Sequence, residues 1–176
     1  MKKFNTNVVL CKAYDEDTQS VLGIINQIEL DSQMRKNPVT INIVTFLSGY
    51  GDEVESNFSL DYYINCVLDR SKEDGEDFSK KISYIFSMIM EETSESKDEN
   101  FSDPVSHLNT FQNIGQIEKK VFLPCLGRFE VQVFENTEKE EKNPLERYKK
   151  YREKSEEPIS IYYFDVVDSS NGSNVK

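Results

Sequence analysis

Leu123-Pro124-Cys125-Leu126-Gly127-Arg128-Phe129-Glu130-Val131-Gln132-Val133-Phe134-Glu135 is the stretch that decides the fold. Pro124 and Gly127 interrupt regular structure and open a turn. The residues after it alternate. Phe129, Val131 and Val133 point one way, and Arg128, Glu130 and Gln132 the other. That period of two predicts a strand with one buried and one wet face. Working outward, 116–123 reads as the preceding strand, joined to this one as a hairpin. Residues 159–167 read as the strand that closes the domain.

The clearest alternation lies upstream. Phe58, Leu60, Tyr62, Ile64, Cys66 and Leu68 share one face; Ser59, Asp61, Tyr63, Asn65 and Asp69 share the other. Residues 4–14 predict a first strand. Residues 20–30 predict a second, paired to it as a hairpin across the polar turn 15–19. Val21-Leu22-Gly23-Ile24-Ile25 is apolar on both faces, which predicts a central position in a sheet. Pro38 opens a third strand through Val39, Ile41 and Ile43. Residues 82–90 fit a strand by the spacing of Ile82, Tyr84, Phe86, Met88 and Met90. A helix through Ile82, Ile85, Phe86 and Ile89 competes, and the regular alternation favours the strand. Residues 105–114, with the sole histidine, His107, stay ambiguous. Acidic, Ser-rich 92–104 predicts a loop.

Between the last two strands sits an insertion, 137–157, that predicts a helix. Asn143 is the N-cap, Pro144 takes the first helical position, and Glu146 reaches back as in a capping box. Glu146 and Lys150 make an i,i+4 pair. Leu145, Tyr148 and Tyr151 or Arg152 supply a thin apolar stripe. Seven or eight short strands without βα alternation define a mainly β chain, a two-layer antiparallel β-sandwich with this helical insertion before the last strand. Residues 1–168 form one domain, and 169–176 read as a disordered tail.

Two segments resemble a known family. Ser20-Val21-Leu22-Gly23-Ile24-Ile25-Asn26-Gln27-Ile28 is similar to the Leu-x-Gly-Ile-Phe-Asp-x-Ile strand of the DUF6941 family of small bacterial proteins of unknown function. Val121-Phe122-Leu123-Pro124-Cys125-Leu126-Gly127-Arg128-Phe129-Glu130-Val131-Gln132-Val133 resembles that family's Pro-x-x-Gly-x-Tyr-x-Phe-x-Val hairpin. The resemblance covers the strands, not the 92–104 loop or the insertion. It implies a compact β-sandwich and supplies no catalytic residues.

Composition narrows the function. The chain has 176 residues, 11 Phe and 9 Tyr, no Trp, and a formal net charge of −11. The insertion is neutral, so the charge resides elsewhere. A phosphate-backbone binder needs a basic footprint, which argues against nucleic acid. No apolar run approaches the ~20 residues of a membrane span, and Val8-Val9-Leu10 is too short for a signal peptide's apolar region. Cys11, Cys66 and Cys125 sit in apolar surroundings and read as reduced core thiols. Together these predict a cytoplasmic protein without membrane attachment.

No catalytic or metal signature is visible. His107 has no spaced nitrogen or thiolate partners for zinc. Asp15, Glu16 and Asp17, or Asp52, Glu53 and Glu55, offer calcium oxygens, but such loops are more often simply solvated. No cofactor is expected. The surplus of sheet aromatics is more telling. Tyr62 and Tyr63 are adjacent, as are Tyr162 and Tyr163, so one of each pair faces away from the core. Tyr63, Tyr148, Tyr151 and Tyr163 are therefore the candidate partner-binding residues, with the helix projecting from the sandwich edge. The competing reading is that the helix covers them. The expected function is a non-enzymatic module that binds a protein partner or itself. The alternative is an enzyme or ligand-binding domain with a site built from loops, such as one around His107, Asp103 and the 15–17 turn.

Overall fold

The computed structural model describes residues 4–18, 20–31, 37–50, 57–69, 82–91, 110–137 and 140–169. The chain is mainly β. Nine strands are described: β1 (Phe4–Asp15), β2 (Ser20–Ile24), β3 (Gln27–Leu30), β4 (Val39–Tyr50), β5 (Asn57–Asp69), β6 (Ile82–Glu91), β7 (Thr110–Val121), β8 (Gly127–Glu135) and β9 (Ser160–Asp168). One helix, α1 (Pro144–Glu153), precedes the last strand. One sheet runs β2-β1-β4-β7 and the other β3-β9-β8-β5-β6. This is the expected β-sandwich. All the pairs are antiparallel except β3–β9, which is parallel.

The core lies between the sheets. Val8 and Leu10 of β1 and Ile41, Ile43 and Leu47 of β4 meet Leu60, Tyr62 and Ile64 of β5, Phe129, Val131 and Val133 of β8, and Phe164 and Val166 of β9. The alternation read from β5 and β8 thus selects the correct inward set. Phe129 and Phe164 stack at 5.6 Å. A polar pair also crosses this layer: Thr45 Oγ1 lies 2.8 Å from the Tyr62 hydroxyl, and both residues are fully buried. Each hydroxyl satisfies the other, so neither carries the cost of an unmade hydrogen bond.

Four expectations change. Residues 20–30 are two strands, not one. The Ile25 amide still donates to Leu10 O of β1 (2.8 Å), whereas Asn26 O accepts from the Asp165 amide of β9 (2.9 Å). The chain changes sheets at that peptide. Second, β2 is an edge strand rather than a central one, with Leu22 and Ile24 exposed. Its Gly23 has φ +64°, a conformation L side chains rarely adopt, which spoils its outer edge for regular pairing. Third, β7 and β8 belong to different sheets, so 122–126 is a crossover and not a hairpin turn. Gly127 at its end has φ 146°, open only to glycine. Fourth, the β5–β8 register shifts between Cys66 and Leu68, and Leu68 is left 48% exposed instead of joining the core. Residues 82–91 are strand, as the alternation favoured.

Candidate functional site: the helix seam and the strip it leaves open

The outer face of the five-stranded sheet carries both the helix and the remaining candidate surface. α1 starts as its sequence predicts: Asn143 Oδ1 accepts from the Leu145 amide at 3.0 Å, with Pro144 beginning the helix. The capping-box partner differs. The Asn143 amide donates to Glu141 Oε1 (2.9 Å) rather than to Glu146. Glu146 pairs with Lys149 at 2.7 Å, and Lys150 with Glu141 at 3.3 Å, in place of the expected Glu146–Lys150 pair. The end is a Schellman arrangement. The Glu156 amide donates to Tyr151 O and the Ser155 amide to Arg152 O, with Ser155 at φ 54° where glycine is usual.

The helix does not project from the sandwich edge. It lies on the outer face of β5 and β8. Tyr63, Phe134, Tyr148 and Tyr151 form a second apolar cluster there. Phe134 and Tyr151 stack at 4.9 Å, and Tyr63 tilts against Tyr148 at 4.7 Å. The helix's third buried residue is Arg147, not Leu145, which stays 46% exposed. Its guanidinium grips Asp61: Nε donates to Oδ2 at 2.7 Å and Nη2 to Oδ1 at 3.0 Å. Nη1 donates to Glu141 O at 2.7 Å, and the Tyr151 hydroxyl adds a third donor to Asp61, 3.0 Å from Oδ2. The Tyr63 hydroxyl donates to Pro144 O at 2.8 Å.

A second polar group lies beside this one. The Asn65 Nδ2 and Gln132 Nε2 groups both donate to Glu130 Oε1, at 3.2 and 2.7 Å, and the Tyr148 hydroxyl donates to Gln132 Oε1 at 3.0 Å. Glu130 and Gln132, expected on a wet face, are each only 6% exposed. Asn65 Oδ1 is buried without a partner among the described residues. Burial raises the phenol pKa of both Tyr148 and Tyr151; the Asp61 carboxylate raises that of Tyr151 further. The seam is closed to solvent; in it Arg147 faces Asp61, and Glu130 accepts from side-chain amides. Such an arrangement fixes a helix on a sheet; it has no surface for a substrate.

Of the four candidate tyrosines, the structure brings Tyr63, Tyr148 and Tyr151 together beneath the helix, where they have no surface to offer a partner. Tyr163 is apart from them and half exposed. It stands on β9 opposite Glu130, with Ile161, 40% exposed, one position along the same face, opposite Gln132. On its other side Arg128 makes a two-point pair with Asp165, Nε to Oδ1 and Nη2 to Oδ2, both 3.2 Å. Arg128, Tyr163, Asp165, Asn26 and Gln27 border a shallow cleft of about 210 Å³ next to the edge strand β3.

The other sites weighed from sequence fare differently. Asp15 Oδ1 accepts from the Asp17 and Thr18 amides at 3.0 and 3.2 Å, which lowers its pKa and makes 15–18 a turn held by its own carboxylate. Among the described residues no three potential metal ligands come together. His107, Asp103, and Asp52, Glu53 and Glu55 lie outside the described residues, as do the 92–104 loop and the tail from 170. No helix among the described residues is long and apolar enough to cross a membrane. Comparison with known proteins finds no matching family model, no similar curated protein and no similar solved structure.

Proposed function

We propose that this chain is a non-enzymatic interaction module that binds a protein partner through the β9 strip of its outer face. The observation that carries the reading is the pair Ile161 and Tyr163. They are adjacent, large and exposed on a rigid strand, at the margin of a helix that buries the other candidate tyrosines. An exposed tyrosine beside an aliphatic residue, rimmed by the Arg128–Asp165 pair, has the make-up of an interface centre with a polar border. The net charge of −11 favours a partner segment bearing lysine or arginine over a second copy of the chain. A reducing cytoplasm is part of this reading, because all three cysteines are buried thiols. So is kinship with DUF6941, which rests on the two strand motifs alone.

A photo-crosslinking residue at position 163 tests the reading, with the same residue at exposed Lys149 as the control. The expected result is one identified protein coupled from 163 and not from 149, whose binding to the purified chain is weakened at least tenfold by Ile161→Glu. A crosslink to a second copy would replace the partner by self-association. No product above the control would overturn the reading.

A further inference from the structure

Two of the three cysteines face each other. Cys66 Sγ on β5 and Cys125 Sγ in the crossover between β7 and β8 are 3.4 Å apart. They are 59 positions apart in sequence, so only the fold brings them together. We propose that Cys66 and Cys125 are a thiol–disulfide modification site, oxidised by a peroxide to a bond that ties the crossover to the five-stranded sheet.

Each partner lies in or next to irregular backbone. Cys66 borders the β5 bulge, and Cys125 lies in the bend between Pro124 and Gly127. A disulfide needs sulfurs about 2.05 Å apart. The remaining approach of somewhat over 1 Å is within reach of small side-chain rotations and a shift of the crossover. Cys66 and Cys125 are less deeply buried than Cys11: they are 7% and 9% exposed, against 1%. Among the described residues Cys11 has no sulfur partner, and burial raises its thiol pKa, so it stays reduced under the same conditions.

The chemistry balances with the peroxide as two-electron oxidant. One thiol loses its proton; the thiolate attacks the peroxide O–O bond, giving a sulfenic acid and, for hydrogen peroxide, a hydroxide that takes up that proton as the first water. The second thiol attacks that sulfur, its S–H proton leaves with the hydroxyl as a second water, and the S–S bond forms. The ring so closed contains β6 and β7. Their conformational freedom in the unfolded chain falls, and the oxidised protein melts at a higher temperature.

The experiment treats the whole chain with hydrogen peroxide, unfolds it, alkylates it with iodoacetamide and measures its mass and peptides. Expected are one alkylated thiol, at Cys11, a Cys66–Cys125 linked peptide, a melting temperature higher by several degrees, and full reversal by dithiothreitol. The Cys125→Ser chain shows neither the linked peptide nor the shift. Three alkylated thiols after oxidation, sulfinic acid at Cys66 or Cys125, or a link between two chains would each overturn the proposal.

Discussion

Replacing Arg147 by methionine removes the cation from a seam that is otherwise closed. The Arg147 side chain is 7% exposed and that of Asp61 0%. Arg147→Met leaves the Asp61 carboxylate buried without its cation, with the Tyr151 hydroxyl still donating to it. Breaking a buried ion pair from one side costs about 3–5 kcal/mol. That is a large part of the roughly 5–15 kcal/mol that holds a domain folded. Asp61→Val costs a similar amount by stranding the guanidinium, eased by its bond to Glu141 O. The double variant Asp61→Val/Arg147→Met removes both members of that ion pair and strands neither. It loses one acceptor for Tyr151, about 1–3 kcal/mol. The two single effects should therefore exceed the double effect by at least about 2 kcal/mol. Urea unfolding followed by near-ultraviolet circular dichroism, which reports the tyrosines, measures all three. A loss below about 1 kcal/mol for Arg147→Met, the size of a surface pair, would refute the buried seam. So would additivity within about 0.5 kcal/mol.

Three further outcomes follow from particular residues. Val131 is fully buried between the sheets, and Val131→Ala should cost about 2–3 kcal/mol, two buried carbons plus a cavity; an unchanged melting curve would contradict the assigned register. Ser155 holds φ 54° at the helix end, so Ser155→Gly should raise stability by about 0.5–1 kcal/mol in thermal unfolding, and a loss would contradict the Schellman end. Burial pushes the Tyr62 phenol up to about 12 against the Thr45 hydrogen bond, so the folded chain holds that proton above pH 10 where the unfolded chain releases it. The contribution of Tyr62 to stability should then be constant up to about pH 10 and fall between pH 10 and 12, with phenolate absorbance appearing together with unfolding; early, independent ionisation of the buried tyrosines would contradict their burial.

The sandwich was legible because β5 and β8 keep a period of two over their core positions: Leu60, Tyr62, Ile64, Val131 and Val133 all face inward. What the pattern could not reveal is the second layer on the opposite face. Glu130, Gln132, Asn65 and Asp61 look solvent-facing, since nothing local distinguishes a wet polar row from one covered by a helix contributed from elsewhere in the chain. The pairing of Asp61 with Arg147 spans 86 positions and is fixed by tertiary structure alone. The strongest available signal was Tyr63 beside Tyr148 and Tyr151, surplus aromatics on a sheet face and on a helix with matching stripe. The sheet switch at Ile25–Asn26 was hidden for another reason: only Asn26 and Gln27 separate the apolar run 21–25 from the alternation that resumes at Ile28 and Leu30. Leu68 was misplaced because a one-residue bulge reverses every later side chain.

The central claim is that α1 is part of the packed domain, sealing the outer face of β5 and β8 and leaving Ile161 and Tyr163 of β9 exposed. Amide hydrogen exchange of the intact chain, read on peptides covering Pro144–Glu153 and Gly127–Glu135, tests it most directly. A ten-residue helix without packing is marginal in water and exchanges at nearly unstructured rates. The seam predicts protection in the last two turns of α1 of roughly 10³-fold or more, lost together with that of β8 as denaturant is added. Exchange of α1 at unprotected rates while β8 stays protected would contradict the account.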